Sequence, residues 1–230
     1  MSAEIVFLLE PDNGRITVES SGAPRSVVQA LKKDLGQSEP INCGRPAFSS
    51  LPNSAIAANH PVNKTASPLD IPSIHLYRLY HSSMVDGPGR RSVIQVSGCS
   101  IRCSGCYVPE THQRSNGLLT PISVIVNEIV AKRKDHDGVT ILGGEPFDQA
   151  EAVANLVAKL KEKDFHLTIY SGYTLENLLE RLDSHIDYTL CQADLLIDGP
   201  FIRELTENAG EYRGSLNQGL ILRPYTTRGD

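Results

Sequence analysis

No stretch of the 230-residue chain approaches the roughly 20 consecutive apolar residues of a membrane-crossing helix, so no membrane span is expected. Basic residues are in deficit: 22 Lys and Arg stand against 27 Asp and Glu, a formal net charge of −5. Binding a phosphate backbone needs a clear basic excess, so a nucleic acid partner is not expected either. The first ten residues carry an apolar patch, Ile5 to Leu9, but neither a basic leader nor a small-residue cleavage site. They do not read as a secretory signal. Cysteine is scarce, five in all, and three of the five are clustered. That usage fits a reducing cytoplasm better than a disulfide framework and leaves Cys43 and Cys191 as bystander thiols. Internal repeats are absent. What is present, 40% hydrophobic and 21% charged residues, is the composition of a globular protein with one ordinary domain, or one domain and a small extra module.

The chain falls into three stretches. In residues 1–36, Glu4 to Glu10 and Arg15 to Glu19 are strand candidates around Asn13-Gly14, a pair that tolerates the positive φ of a tight hairpin turn. Ser26 to Leu35 reads as a helix stopped by Gly36, completing a small β-β-α module. Residues 37–72 hold six of the fourteen prolines and show no sustained period, which marks a linker or a wrapping arm. From Ser73 onward strands and helices alternate. Strands are expected at Ile74–Tyr80, Ser92–Val96, Gly138–Leu142, Leu167–Ser171 and Asp194–Ile197. Helices are expected at Pro121–Lys132, from a cap at Asp148 through Lys161, and at Leu175–Leu182. Such alternation implies right-handed βαβ units on a mostly parallel sheet, an α/β fold whose chemistry gathers at the carboxyl ends of the strands.

Three motifs follow predicted strands and so converge on one rim. Gly98 to Tyr107 reads Gly-Cys-Ser-Ile-Arg-Cys-Ser-Gly-Cys-Tyr. Its C-x3-C-x2-C spacing lets one loop point three sulfurs, from Cys99, Cys103 and Cys106, at one metal centre. A structural zinc or a fully ligated iron–sulfur cluster takes four ligands. Three therefore suggest either a cluster with one open iron, or a site completed by His112 or Cys191. Gly143-Gly144-Glu145-Pro146 offers bare backbone to a ligand and a carboxylate to a cationic ammonium, or is a tight strand-to-helix turn. Tyr170-Ser171-Gly172-Tyr173-Thr174 offers hydroxyls for a ribose or carboxylate, or a turn with a helix cap at Thr174. Asp198, after the last strand, either lines the site or is a structural carboxylate.

The cysteine loop followed by an aromatic resembles the signature of the radical S-adenosylmethionine enzymes, and Gly143 to Pro146 resembles their cofactor-amino-group motif. Asp86-Gly87-Pro88-Gly89 with Arg91 is similar to the glycyl-radical-enzyme activases. Tyr-Ser-Gly-Tyr-Thr, Asp198-Gly199-x-Phe201 and Arg213-Gly214-Ser215-x-Asn217-Gln218 resemble the anaerobic ribonucleotide reductase activating enzymes in particular. The resemblance covers about Ser73 to Tyr225. It implies an incomplete (βα) barrel, a 4Fe-4S cluster on Cys99, Cys103 and Cys106, and S-adenosylmethionine held around Gly105, Tyr107, Gly143, Gly144, Glu145, Pro146, Ser171 and Asp198. The implied activity is reductive cleavage to a 5′-deoxyadenosyl radical that takes a hydrogen atom from a glycine of a partner enzyme. A flavodoxin or ferredoxin would supply the electron. Rival expectations are a radical enzyme modifying another peptide or a small molecule, and a non-catalytic iron–sulfur or zinc adaptor. Val108, Pro200 and Gly219 depart from the family pattern, and no glycyl-radical loop of the chain's own is evident.

Overall fold

The computed structural model describes residues 4–9, 16–21, 43–44 and 71–224. The chain divides into two units, residues 1–42 with 226–230, and residues 43–225. In the first, β1 (Glu4–Leu9) and β2 (Ile16–Ser21) pair antiparallel, with Leu9 opposite Ile16 and Glu4 opposite Ser21. This is the expected hairpin. Its connecting turn and the expected helix at 26–35 lie outside the described residues.

The second unit is built on a seven-stranded sheet in the order β5-β3-β4-β6-β7-β8-β9. Its centre is four parallel strands, β4 (Arg91–Val96), β6 (Gly138–Gly143), β7 (His166–Tyr170) and β8 (Leu195–Asp198). Antiparallel strands flank them: β3 (Ser73–Ser83) and β5 (Leu118–Pro121) on one side, β9 (Gly219–Leu222) on the other. All six positions of β4 and all four of β8 are buried, as strands covered on both faces must be. Helix α1 (Ile122–Ala131) buries Ile122, Ile125, Val126 and Ile129, and α2 (Ala150–Lys161) buries Val153, Val157 and Leu160. Both are the apolar stripes that helical periodicity marks out. After α3 (Leu175–Glu180), a fourth helix, α4 (Ser184–Gln192), was not expected. It is capped by Asp183, whose carboxylate accepts from His185 N–H at 2.8 Å.

One sequence expectation is corrected. Cys43 and Cys191 are bonded as a disulfide, with Cα atoms 5.6 Å apart. Composition could not reveal this, because the partners are 148 residues apart and only the fold brings residue 43 to the end of α4. No helix among the described residues is long and apolar enough to cross a membrane.

Candidate active site

Register places the rim. Val96, the last residue of β4, lies opposite Gly143, the last of β6, so the cysteine loop and the Gly-Gly-Glu-Pro turn leave the sheet side by side. β7 and β8 are aligned through Tyr170 and Ile197, and Ser171 N–H continues the ladder to Ile197 O at 2.9 Å. The two glycines are needed for packing between these segments. Gly143 has φ 117°, and a Cβ there would meet the backbone of Val96, while one on Gly144 would collide with Gly98 O. Without those side chains, Gly144 N–H reaches Val96 O at 2.9 Å and Glu145 N–H reaches Gly98 O at 2.8 Å.

The cysteine loop is anchored throughout its length. Gly98 N–H donates to Thr111 O at 2.7 Å, Cys99 N–H to His112 O at 3.2 Å and Cys106 N–H to Cys103 O at 3.2 Å. Asp148 does not cap a helix, since α2 begins only at Ala150. Its carboxylate instead accepts from Ser100 N–H at 2.6 Å, Ser100 Oγ at 3.0 Å and Tyr173 Oη at 3.1 Å. Gln149 donates to Ser97 O at 3.1 Å and accepts from His75 N–H at 2.9 Å. Across the rim, Arg203 Nη2 donates to Gly105 O at 2.9 Å, and the Phe201 ring lies 4.7 Å from that of Tyr107.

Together these segments enclose a cavity of about 460 Å³, within the range of small-molecule sites. Cys99, Cys103 and Cys106 all open onto it as free thiols, with Gly143, Gly144, Glu145, Ser171 and the half-stacked Tyr107. Gly105, Pro146 and Asp198 are not on its wall. Gly105 O accepts from Arg203, Pro146 is buried in the turn, and Asp198 accepts from Leu175 N–H at 2.7 Å beside the start of α3, whose cap is the expected Thr174. Burial pushes the Cys99 thiol above its ordinary value. Among the described residues, no three His, Cys, Asp or Glu side chains converge as the ligands of a single ion do.

Glu145 is fully buried. Its Oε1 accepts from Phe147 N–H and Ser171 Oγ, both at 3.0 Å, and its Oε2 from Gly172 N–H at 2.8 Å. A carboxylate has about four acceptor positions, so the three donors leave about one unfilled, on a residue that borders the cavity. Burial raises the Glu145 carboxyl to about 7, against the opposing pull of those three donors. On the cavity wall, Asp86 accepts from Tyr80 Oη at 2.9 Å and Ser83 Oγ at 2.5 Å. Asp148, Gln149 and Arg203 carry no motif of their own. Their contacts span 25 to 98 residues for Asp148–Tyr173, Gln149–His75 and Arg203–Gly105, beyond the reach of a local pattern.

Residues 85–221 match the 4Fe-4S single cluster domain family. The anaerobic ribonucleoside-triphosphate reductase-activating protein of Vibrio cholerae is 33% identical over 153 residues, covering 63% of this chain and 96% of that protein. The protein of the same name from Enterobacteria phage T4 is 33% identical over 150 residues, covering 62% and 90%. The pyruvate formate-lyase-activating enzyme of Staphylococcus aureus is 30% identical over 128 residues, about half of each chain at 54% and 51%. The cofactors of this group are a 4Fe-4S cluster and S-adenosylmethionine, and the three cysteines, the cavity and Glu145 are of the right kind to receive them. The chain is thus an enzyme of the 4Fe-4S, radical S-adenosylmethionine family, among the activases of glycyl radical enzymes.

Proposed function

We propose that the protein reductively cleaves S-adenosylmethionine and uses the resulting 5′-deoxyadenosyl radical to take a hydrogen atom from a glycine Cα of a partner glycyl radical enzyme, an anaerobic ribonucleotide reductase being the best match. The observation that carries the reading is the opening of three free thiols and one buried carboxylate onto a single cavity. Cys99, Cys103 and Cys106 hold the cluster in deprotonated form. The free acceptor position of Glu145 receives the ammonium of the cofactor. Ser171 and Gly172 fix that carboxylate, and Tyr107 and Phe201 screen the cavity mouth from water.

The remaining parts of the reading follow from these roles. The seven-stranded sheet is taken as the incomplete (βα) barrel that the resemblance implies, with residues 73–230 as the catalytic domain. Residues 1–36 serve as an accessory docking module and residues 37–72 as its connector. A flavodoxin or ferredoxin supplies the electron, since such clusters work near −400 mV and below, by order of magnitude. An oxygen-labile centre of this sort belongs in the cytoplasm.

Anaerobic reconstitution tests the proposal. The full chain should bind about four irons and release 5′-deoxyadenosine on reduction by dithionite. Alanine at any one of positions 99, 103 or 106 should abolish both, while Cys43→Ala and Cys191→Ala should leave the iron count unchanged. A colourless protein with one zinc per chain would overturn it.

A further inference from the structure

S-adenosylmethionine carries two opposite charges on its amino-acid end, and the cavity described above offers an acceptor for only one of them at Glu145. Among the cavity-lining residues, two side chains can carry a positive charge, His112 and Arg213. A guanidinium keeps its charge at any working pH, whereas an imidazole is charged only in part near neutrality. Arg213 is also under-used. Its Nε is buried without a partner, and its one hydrogen bond is a long one, from Nη1 to Gln218 O at 3.4 Å. Among the described residues no carboxylate pairs with it.

The backbone is bent to put it there. The preceding residue, Tyr212, has φ 63°, a left-handed conformation that is unusual for a bulky side chain and tends to cluster at functional sites. That conformation is held by Tyr170 Oη, which donates to Tyr212 O at 2.8 Å. Gly210 leaves room for the guanidinium, since a Cβ there would come within 2.5 Å of Arg213 Nη2. The residue that follows, Gly214, lies against the Phe201 ring, 3.1 Å from the position of a Cβ. Phe201 in turn contacts Tyr107, next to Cys106. The guanidinium, with its Nε unpartnered, therefore stands on the wall that closes against the cysteine loop.

We propose that Arg213 is the carboxylate-binding residue of the cavity, completing with Glu145 a recognition pair for the zwitterionic end of S-adenosylmethionine. This rests on the cofactor reading of the site. A buried guanidinium donor without a partner is costly, and a carboxylate is the group whose geometry it matches, by a paired or single charge-assisted bond. Arg213 contributes binding and orientation and takes no part in bond breaking.

The test is an anaerobic equilibrium titration of the reconstituted full-length protein with two ligands, S-adenosylmethionine and its decarboxylated analogue. The variants are Arg213→Gln and Arg213→Lys. Wild type should prefer the intact ligand. Arg213→Gln should weaken binding of S-adenosylmethionine about ten- to hundredfold and bind the decarboxylated analogue as wild type does. Arg213→Lys should retain part of the preference, because charge survives without the planar fork. Equal weakening of both ligands by Arg213→Gln would make the residue a structural support and overturn the assignment, as would no weakening of either. A wild-type protein that holds its iron yet binds neither ligand would instead overturn the cofactor reading of the cavity, and the assignment with it.

Discussion

Two buried ionic side chains stand at opposite ends of the same parallel strands, and they are satisfied to different degrees. Arg91 opens β4 and is 1% exposed, while Glu145 follows β6 and is 0% exposed. Arg91 donates through Nε to Thr140 Oγ1, through Nη1 to Pro88 O and His166, and through Nη2 to Val139 O, His166 O and Thr168 Oγ1, at 2.6 to 3.3 Å. All five of its N–H groups have acceptors, which is all a guanidinium possesses. Burial lowers it to about 10, so it remains a cation near neutrality. Glu145 is held by three donors and keeps one acceptor position beside a cavity. Saturation at one end marks a pin that ties β4, β6 and β7 together, and incomplete saturation at the other marks a group that can meet a ligand. Similar burial thus accompanies opposite roles, and the hydrogen-bond inventory separates them.

The contrast is broken most severely at Arg91. Arg91→Met removes every donor and leaves carbonyls and hydroxyls buried among Val139, Thr140, His166 and Thr168. Loss of such a network should cost at least about 4 kcal/mol, read as a fall in the denaturation midpoint of the apo protein. A loss below about 1 kcal/mol would mean that the network is not what joins the strands.

Glu145→Ala should act on the ligand. A charge-assisted bond to an ammonium is worth roughly 1.5–3 kcal/mol, so affinity for S-adenosylmethionine should fall about 10- to 150-fold. The iron count of the reconstituted protein should stay the same. Unchanged affinity in the titration would reduce Glu145 to the clamp of its own turn, and the two ends of the strands would no longer differ.

The strands and helices between Ser73 and Asp198 were largely legible because their apolar residues keep a regular period. Ile122, Ile125, Val126 and Ile129 read as one helical face and are buried as one. β5 was not legible, because Leu118 and Leu119 are 80% and 63% exposed and two adjacent leucines give no alternation. β9 is four residues long, and α4 mixes polar and apolar residues around Tyr188. At the site, the cysteine triplet and Glu145 could be picked out because each sits in a short motif after a strand. The role of Gly143 and Gly144 could not, since their constraint comes from Val96, at the end of another strand, and from Gly98 in the loop that follows it. Asp148 was read as a helix cap for the same reason: its true donors, Ser100 and Tyr173, are remote in sequence. Long-range contacts of single polar residues leave no periodic trace.

Acid titration sharpens the comparison in a second way. The folded-state value of Glu145, about 7, lies above its reference of 4.5. Its contribution to stability is therefore fully present below about pH 4.5 and lost as pH rises through about 7. His75 and His166 act in the opposite sense. Burial lowers both below 6.5, so their contribution is lost as pH falls below that value. The difference between wild type and Glu145→Gln isolates the carboxylate. Chemical denaturation of the apo protein from pH 4.5 to 8 should show wild type losing stability relative to Glu145→Gln as pH rises. A constant difference across that range would place Glu145 at an ordinary value and remove the energetic reason for it to accept a cation.

The smallest effect expected is at Tyr173, and it tests whether partial satisfaction alone makes a residue functional. Its hydroxyl meets Ser100 Oγ at 2.6 Å and Asp148 Oδ1 at 3.1 Å, while Ser100 N–H goes separately to Asp148 Oδ2 at 2.6 Å. Tyr173→Phe therefore leaves the cysteine loop tied to Asp148 by both Ser100 bonds. The ring also keeps its place under Arg181, whose guanidinium carbon lies 4.9 Å above it. Ser100 is exposed, so water can replace the lost hydroxyl. The cost should be about 0.5–1.5 kcal/mol, with the iron count unchanged. Asp148→Ala removes the acceptor for all three donors and should cost more. The double variant should cost less than the sum of the two, because the residues share bonds. Denaturation midpoints of the three variants measure that coupling. Strict additivity would show that Tyr173 and Asp148 hold the loop independently. A Tyr173→Phe variant as damaged as Arg91→Met would show that the rim, too, depends on saturated pins.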